Sequence, residues 1–130
     1  MNYRECKKRV SNLGFNFSLY AYNQVRFHNK NETPKHYFCK AIFAKVLKDK
    51  NLSFFTEYDF PNNACCDVWI VDYHKVVEFE TELDPIKAFK KKEQYKKYGL
   101  DLVIIYCKDV PDDPNFAYTF FLSNQRLSIL

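Results

Sequence analysis

Three acidic residues stand where their surroundings would favour something else. Asp67 sits inside the run Cys65-Cys66-Asp67-Val68-Trp69-Ile70-Val71, among residues that want burial. Glu78 and Glu80 lie two apart in Val76-Val77-Glu78-Phe79-Glu80-Thr81, so on a strand they project from one face. Two same-face glutamates can simply mark the wet side of a sheet. Asp67 points the other way, because it belongs to the neighbouring strand of the same meander. Carboxylates gathered on adjacent strands repel and raise one another's pKa unless a cation neutralises them. Oxygen donors of this kind suit Mg2+ or Mn2+, with Asp67, Glu78 and Glu80 as the candidate ligands.

The complement follows at once. Lys87, Lys90, Lys91, Lys92, Lys96 and Lys97 fall within about three helical turns, and Lys87, Lys91, Gln94 and Tyr98 recur along one stripe. A lysine run of this sort is ordinarily a solvated face. Here the helix begins directly after the Glu78/Glu80 strand, so its first turns start beside the acids. Ammonium groups next to a carboxylate-bound cation are what phosphodiester chemistry needs, to hold the phosphate and offset developing charge. Lys87 or Lys91 would take that role, and Lys90 would contact a flanking phosphate. Tyr98 and Trp69 are the aromatics with a reading beyond packing, as platforms for bases of a single strand; Trp69, two residues from Asp67, is expected on the same face. His36, with Glu32 just ahead of it, reads either as an ordinary boundary residue or as a metal ligand or proton carrier. His28 and His74 have no partners in view and no assigned role.

The elements that must position these groups are legible from residue 33 onward. Thr33-Pro34 opens a helix to about Lys50, with an apolar stripe of Phe38, Cys39, Ile42, Phe43, Val46 and Leu47. Ser53–Phe60 reads as a strand ending at the turn signal Pro61-Asn62-Asn63, Cys65–Val71 as a second and Lys75–Thr81 as a third. Asp84-Pro85 caps a second helix to about Tyr98, stopped by Gly99. The continuous apolar run Leu100–Cys107 is a buried central strand. Pro111 to Pro114 is a loop, and Ala117–Leu122 is expected to be a last strand. Before residue 33, alternation of Leu13, Phe15, Phe17, Leu19 and Ala21 predicts a half-buried strand, broken by the polar stretch His28 to Glu32. The expected architecture is α/β, one domain over residues 1–130 with a core at about 33–122 and an N-terminal extension at 1–32. A central mixed sheet is flanked by helices.

Composition sets the outer bounds. The 130 residues are 47% hydrophobic and 18% aromatic, enough for a core without covalent staples. Only two glycines are present, which excludes the Gly-rich phosphate loops. A formal net charge of +4 is mild, so the clustering of lysines matters more than the sum. The five cysteines cannot all pair and none forms a CxxC motif; free thiols in a reducing compartment are expected, with a disulfide of Cys39 to a strand cysteine left open. Neither a signal peptide nor a run of about 20 apolar residues is present, so a soluble cytoplasmic protein is expected.

Asp67, a gap of ten residues, Glu78-Phe79-Glu80 and then a helix bearing Gln94 and Tyr98 resembles the PD-(D/E)XK nuclease superfamily, over roughly residues 33 to 107. The resemblance implies a restriction-endonuclease-like α-β-β-β-α-β core and a metal-dependent nuclease acting on DNA, branched or single-stranded forms included. In that family Asp67 and Glu78 would be the metal-binding carboxylates, and Gln94 with Tyr98 is similar to the helix motif of the helicase-associated exonuclease branch. Archaeal junction resolvases in the same superfamily act as dimers, so a homodimer is a further expectation. Glu80 is the departure, since the family usually has lysine two residues after its glutamate. Either Glu80 adds a metal ligand, or the lysine has moved to the helix as Lys87 or Lys91, or catalysis has given way to binding of nucleic acid or a protein partner.

Overall fold

A computed structural model describes residues 1–27, 32–61 and 64–127 of the chain. The polar break beginning at His28 and the Asn62-Asn63 turn lie outside these, apart from Glu32. Four helices and four strands follow in the order α1 (Tyr3–Asn12), α2 (Pro34–Asp49), β1 (Phe54–Phe60), β2 (Ala64–Ile70), β3 (Lys75–Glu80), α3 (Pro85–Lys96), β4 (Asp101–Tyr106) and α4 (Pro114–Leu122). The sheet order is β1-β2-β3-β4, antiparallel between the first three strands and parallel between β3 and β4. This is an α/β fold with a mixed sheet, and from α2 to β4 the elements run α-β-β-β-α-β. Among the described residues no helix is long and apolar enough to cross a membrane.

Two apolar layers hold the sheet. On one face Cys39, Phe43 and Leu47 of α2 and Phe121 of α4 pack with Val68, Val77 and Ile105. On the other, Cys6 and Val10 of α1 and Tyr95 of α3 pack with Phe55, Trp69 and Val76. Burial of large side chains on both faces, each worth roughly 1.5–3 kcal/mol, explains why a chain with so few turns glycines still closes. All five cysteines are free thiols, four buried and Cys65 exposed.

Two expected strands are not strands. Leu13 to Ala21 forms none; ahead of it, where the sequence predicts no element, residues 3–12 form a helix capped by Asn2, whose side chain accepts from the Glu5 amide at 2.9 Å, and only Cys6 and Val10 of it are buried. The alternation is burial only in part: Phe15 and Phe17 turn inward onto Trp69 and Phe55 and Ala21 is buried, but Leu19 is 63% exposed. The segment lacks a backbone ladder. Side chains take the ladder's place along the free edge of β1: Asn23 Oδ1 accepts from the Phe54 amide at 2.8 Å, and Thr56 Oγ1 accepts from the Arg26 amide at 2.8 Å and donates to Gln24 O at 2.7 Å. The edge is thereby covered.

Ala117–Leu122 is the second correction. Asp113 accepts from the amides of Asn115 and Phe116, Pro114 occupies the first turn, and Ala117 and Phe121 bury at helical spacing. The same cap-then-proline pattern starts α2, where Thr33 Oγ1 accepts from the His36 amide, and α3, where Asp84 accepts from the Lys87 amide. At the end of α3, Gly99 takes φ +73° and the Leu100 amide reaches back to Tyr95 O at 3.1 Å, so the lysine-rich helix stops where β4 must begin.

Candidate active site

The site is made by a fork in the sheet. β2 and β3 pair only through Val68↔Val77, Trp69↔Val76 and Ile70↔Lys75, whereas β3 stays paired with β4 as far as Glu80↔Tyr106. Beyond Val68 the two strands part, and backbone amides lose their ladder partners. Carboxylates replace them: the Phe79 amide donates to Asp67 Oδ2 at 2.7 Å, and the Asp67 amide to Glu78 Oε2 at 3.2 Å. An unpaired buried amide is costly, so the acids are held in place by the backbone they satisfy.

A second irregularity turns the acids toward α2. Glu57, opposite Asp67, has φ +51°, and neither residue has a register partner in the β1–β2 ladder. Side-chain alternation reverses there. Val68 and Ile70 pack on the α2/α4 side, while Ala64 and Cys66, of the same parity, pack on the opposite side. Glu57 and Asp67 are thus free to meet α2, and each finds a cation on it.

The result is a chain of alternating charge across the fork. Glu57 Oε1 accepts from Lys40 Nζ at 2.9 Å, and Lys40 Nζ lies 2.6 Å from Glu32 Oε1. Glu32 Oε1 is 2.8 Å from His36 Nδ1, and His36 Nε2 is 3.2 Å from Asp67 Oδ2. On the far side Lys91 Nζ lies 2.8 Å from Glu80 Oε1 and 3.8 Å from Glu78 Oε1, and the Tyr95 hydroxyl donates to Glu78 Oε1 at 3.2 Å. Five carboxylates (Glu32, Glu57, Asp67, Glu78 and Glu80) line one open cleft of about 300 Å³ with His36 and Lys91. Lys40 is fully buried behind it.

Burial first, then the charge and hydrogen bond of Asp67, hold the Glu78 carboxyl well above its ordinary value, with Lys91 only partly offsetting them. Burial pushes Asp67 the same way, but hydrogen bonds from His36, Glu78 and the Phe79 amide outweigh it and Asp67 stays low. Of the two, Glu78 is therefore the carboxyl that holds its proton to higher pH. His36 is disfavoured as a cation by burial, yet the hydrogen bond and charge of Asp67, with the hydrogen bond of Glu32, raise it to about 9. Both ring nitrogens of His36 are engaged, Nδ1 with Glu32 and Nε2 with Asp67. Because its folded value lies above its ordinary 6.5, its contribution to stability is full below pH 6.5 and is lost as pH rises through about 9. An imidazole NMR titration of the protein is expected to give a midpoint near 9, and His36→Asn to remove that part of the pH dependence of unfolding.

Of the groups singled out in the sequence, Asp67, Glu78, Glu80, Lys91 and His36 come together. Lys87, Lys90 and Gln94 line a separate groove on α3 that shares only Lys91 with the cleft. Trp69 is a correction: it is 0% exposed, among Phe15, Phe55, Tyr58 and Phe60, and cannot stack on a base. The reversal at Asp67 is the reason, since residues two apart no longer share a face. Tyr98 is likewise a packing residue, stacked on Phe60 with its hydroxyl donating to Pro61 O at 2.5 Å. Lys40 and Glu57 were missed. Their signal was a lysine inside the apolar stripe of α2 and a lone glutamate in the aromatic run of β1.

Among the described residues, no three His, Cys, Asp or Glu side chains stand grouped so as to hold a metal ion. Lys40 and His36 lie between Glu57, Glu32 and Asp67, and Lys91 between Glu78 and Glu80. No family model, curated protein or solved structure matches the chain.

Proposed function

We propose that the chain is a metal-dependent nuclease that hydrolyses phosphodiester bonds in DNA, built on a restriction-endonuclease-like core. The observation that supports it most is the Asp67–Glu78 pair at the fork, two carboxylates held together where the strands part, the Asp67 amide donating to Glu78 and the Phe79 amide to Asp67, with Lys91 3.8 Å from Glu78. Asp67 raises the Glu78 carboxyl, a repulsion that a divalent cation would relieve, so the oxygen donors suit Mg2+ or Mn2+ held by Asp67 and Glu78, with Glu80 adjacent. When bound, the ion would polarise the phosphodiester and make an attacking water more acidic.

The remaining roles belong to the chain itself. Lys91, which reaches the acids from α3 and pairs with Glu80 at 2.8 Å, would be the lysine that has moved to the helix, with Glu80 orienting it. Its ammonium would hold a non-bridging phosphate oxygen. Lys87, Lys90 and Gln94 lie where the flanking backbone would pass, and contact it without reading sequence. Five free thiols suit a reducing, cytoplasmic setting, and a homodimer would bring two such clefts to one DNA substrate.

A second reading has its own support. Every carboxylate of the cleft already has a cationic or amide partner, which is the state of a nuclease-like domain that binds nucleic acid or a protein without cutting. Incubation with plasmid, single-stranded and branched DNA in Mg2+ or Mn2+ separates the two. Cleavage abolished by EDTA and by Asp67→Asn is expected; intact DNA in every case, with the protein folded, leaves only the binding reading.

A further inference from the structure

The outer face of α3 carries side chains that a helix on a sheet ordinarily turns inward. Ile86 is 71% exposed and Phe89 66%, and Leu83, just ahead of the helix, is 69% exposed. Ile86 borders the lysines, and Phe89 lies on the adjoining flank of the helix, outside the groove, one turn before Glu93. Lys87, Lys90 and Lys97 line a shallow groove with Ile86 and Gln94, and Lys91 is the wall it shares with the carboxylate cleft. Asp84 also borders the groove, but its carboxylate is spent on the helix cap, accepting from the Lys87 amide at 3.1 Å. The ion pairs of α3 among the described residues are those of Lys91, which leaves Lys87, Lys90 and Lys97 open to a ligand.

Apolar side chains beside unpaired ammonium groups fit a partner that is polyanionic and also presents flat apolar faces. A duplex offers phosphates but hides its base faces in the stack. An unpaired strand offers both. A lipid surface would need a broad convex apolar face, whereas these lysines line a concavity that borders the cleft at Lys91. From Lys87 to Lys97 the groove follows about 15 Å of helix axis, room for a short stretch of strand.

We propose that α3 is a single-strand track: nucleic acid leaving the cleft runs along the helix, its phosphates on Lys87, Lys90 and Lys97 and its unstacked bases against Ile86 and Phe89. The substrate class is then unpaired or frayed nucleic acid rather than intact duplex. The continuation of the strand into the cleft rests on the nuclease reading; the binding along α3 does not.

The test is fluorescence anisotropy in EDTA, with a labelled oligothymidylate and a labelled hairpin duplex as probes. The single strand is expected to bind at least about tenfold more tightly than the duplex. Phe89→Ala is expected to weaken single-strand binding about tenfold and leave duplex binding unchanged. Lys90→Gln is expected to lower the slope of log K against log salt by about 0.7. Both positions are exposed, and an unchanged Tm confirms the fold of each variant. Equal affinity for the two probes, or indifference to Phe89→Ala, overturns the track. So does co-sedimentation with phosphatidylserine vesicles that Phe89→Ala abolishes while oligothymidylate binding stays intact. Cleavage is read separately. A protein that binds strand through Phe89 but cuts nothing keeps the track and loses the nuclease; one that cuts duplex at full rate regardless of Phe89 does the reverse.

Discussion

Glu78→Gln is expected to make the protein more stable and, at the same time, unable to cut. Glu78 is 3% exposed, and its carboxyl is pushed upward by burial and by Asp67. A carboxyl whose folded value lies above its ordinary 4.5 binds its proton more tightly in the folded state. Its contribution is therefore full below pH 4.5 and declines as pH rises from there through the folded value. Glutamine is nearly the same shape and does not titrate. Its oxygen can accept from the Asp67 amide and its NH2 can donate to the Tyr95 hydroxyl, so these two contacts of Glu78 keep a partner. The variant and the wild type should be equally stable near pH 4 and diverge above it. At neutral pH the variant should gain about 0.5–2 kcal/mol, a few degrees in Tm. Cleavage should fall by about a thousandfold or more, as several kcal/mol of charge stabilisation are lost with the cation. Thermal melts across pH 4–8, paired with a plasmid assay in Mn2+, read both effects. A destabilised Glu78→Gln would show that the carboxyl is a structural hydrogen-bonding group, and full activity would remove it from the chemistry.

The chain advertised this site in part. Asp67, Glu78 and Glu80 were visible because acids inside Val- and Ile-rich strands violate the usual pattern, and the cap-then-proline signals at Thr33 and Asp84 placed the helices beside them. Asp113-Pro114 is the same signal, yet the aromatic and β-branched run that follows it favours a strand by propensity. Burial of Ala117 and Phe121 against α2 overrides that preference. The fork itself was not legible. Period-two reasoning assumes that alternation continues, and nothing in the run around Asp67 announces the reversal that sends Asp67 to α2 and Trp69 into the opposite core. Glu57 at φ +51° is the other half of that reversal, and a glutamate is not the residue from which a left-handed conformation is inferred. With the reversal unseen, Lys40 had no visible reason to be buried.

Lys40→Met should have the largest effect on stability of any substitution in the cleft. The side chain is 0% exposed and its ammonium joins Glu32 Oε1 at 2.6 Å to Glu57 Oε1 at 2.9 Å. Methionine fills similar space but leaves two buried carboxylates without their common cation. Breaking a buried pair in this way costs about 3–5 kcal/mol, a large share of the roughly 5–15 kcal/mol that holds a domain together. Urea unfolding should show a lower midpoint with an unchanged slope. Adding Glu57→Gln should recover part of the loss, since one of the stranded charges is then gone; no recovery would mean that the loss comes from packing rather than charge. Lys91→Met is the informative contrast. Lys91 is 26% exposed and paired to the half-buried Glu80, so its removal should cost no more than about 1 kcal/mol. If its ammonium steadies the phosphate, the rate should nevertheless fall about a hundredfold to a thousandfold, the range seen when one charge-stabilising donor is removed from an active site. Two lysines reach the same row of acids from different helices. The one on α2 is buried where no substrate can touch it, and the one on α3 faces the open cleft, so stability and turnover should separate between them.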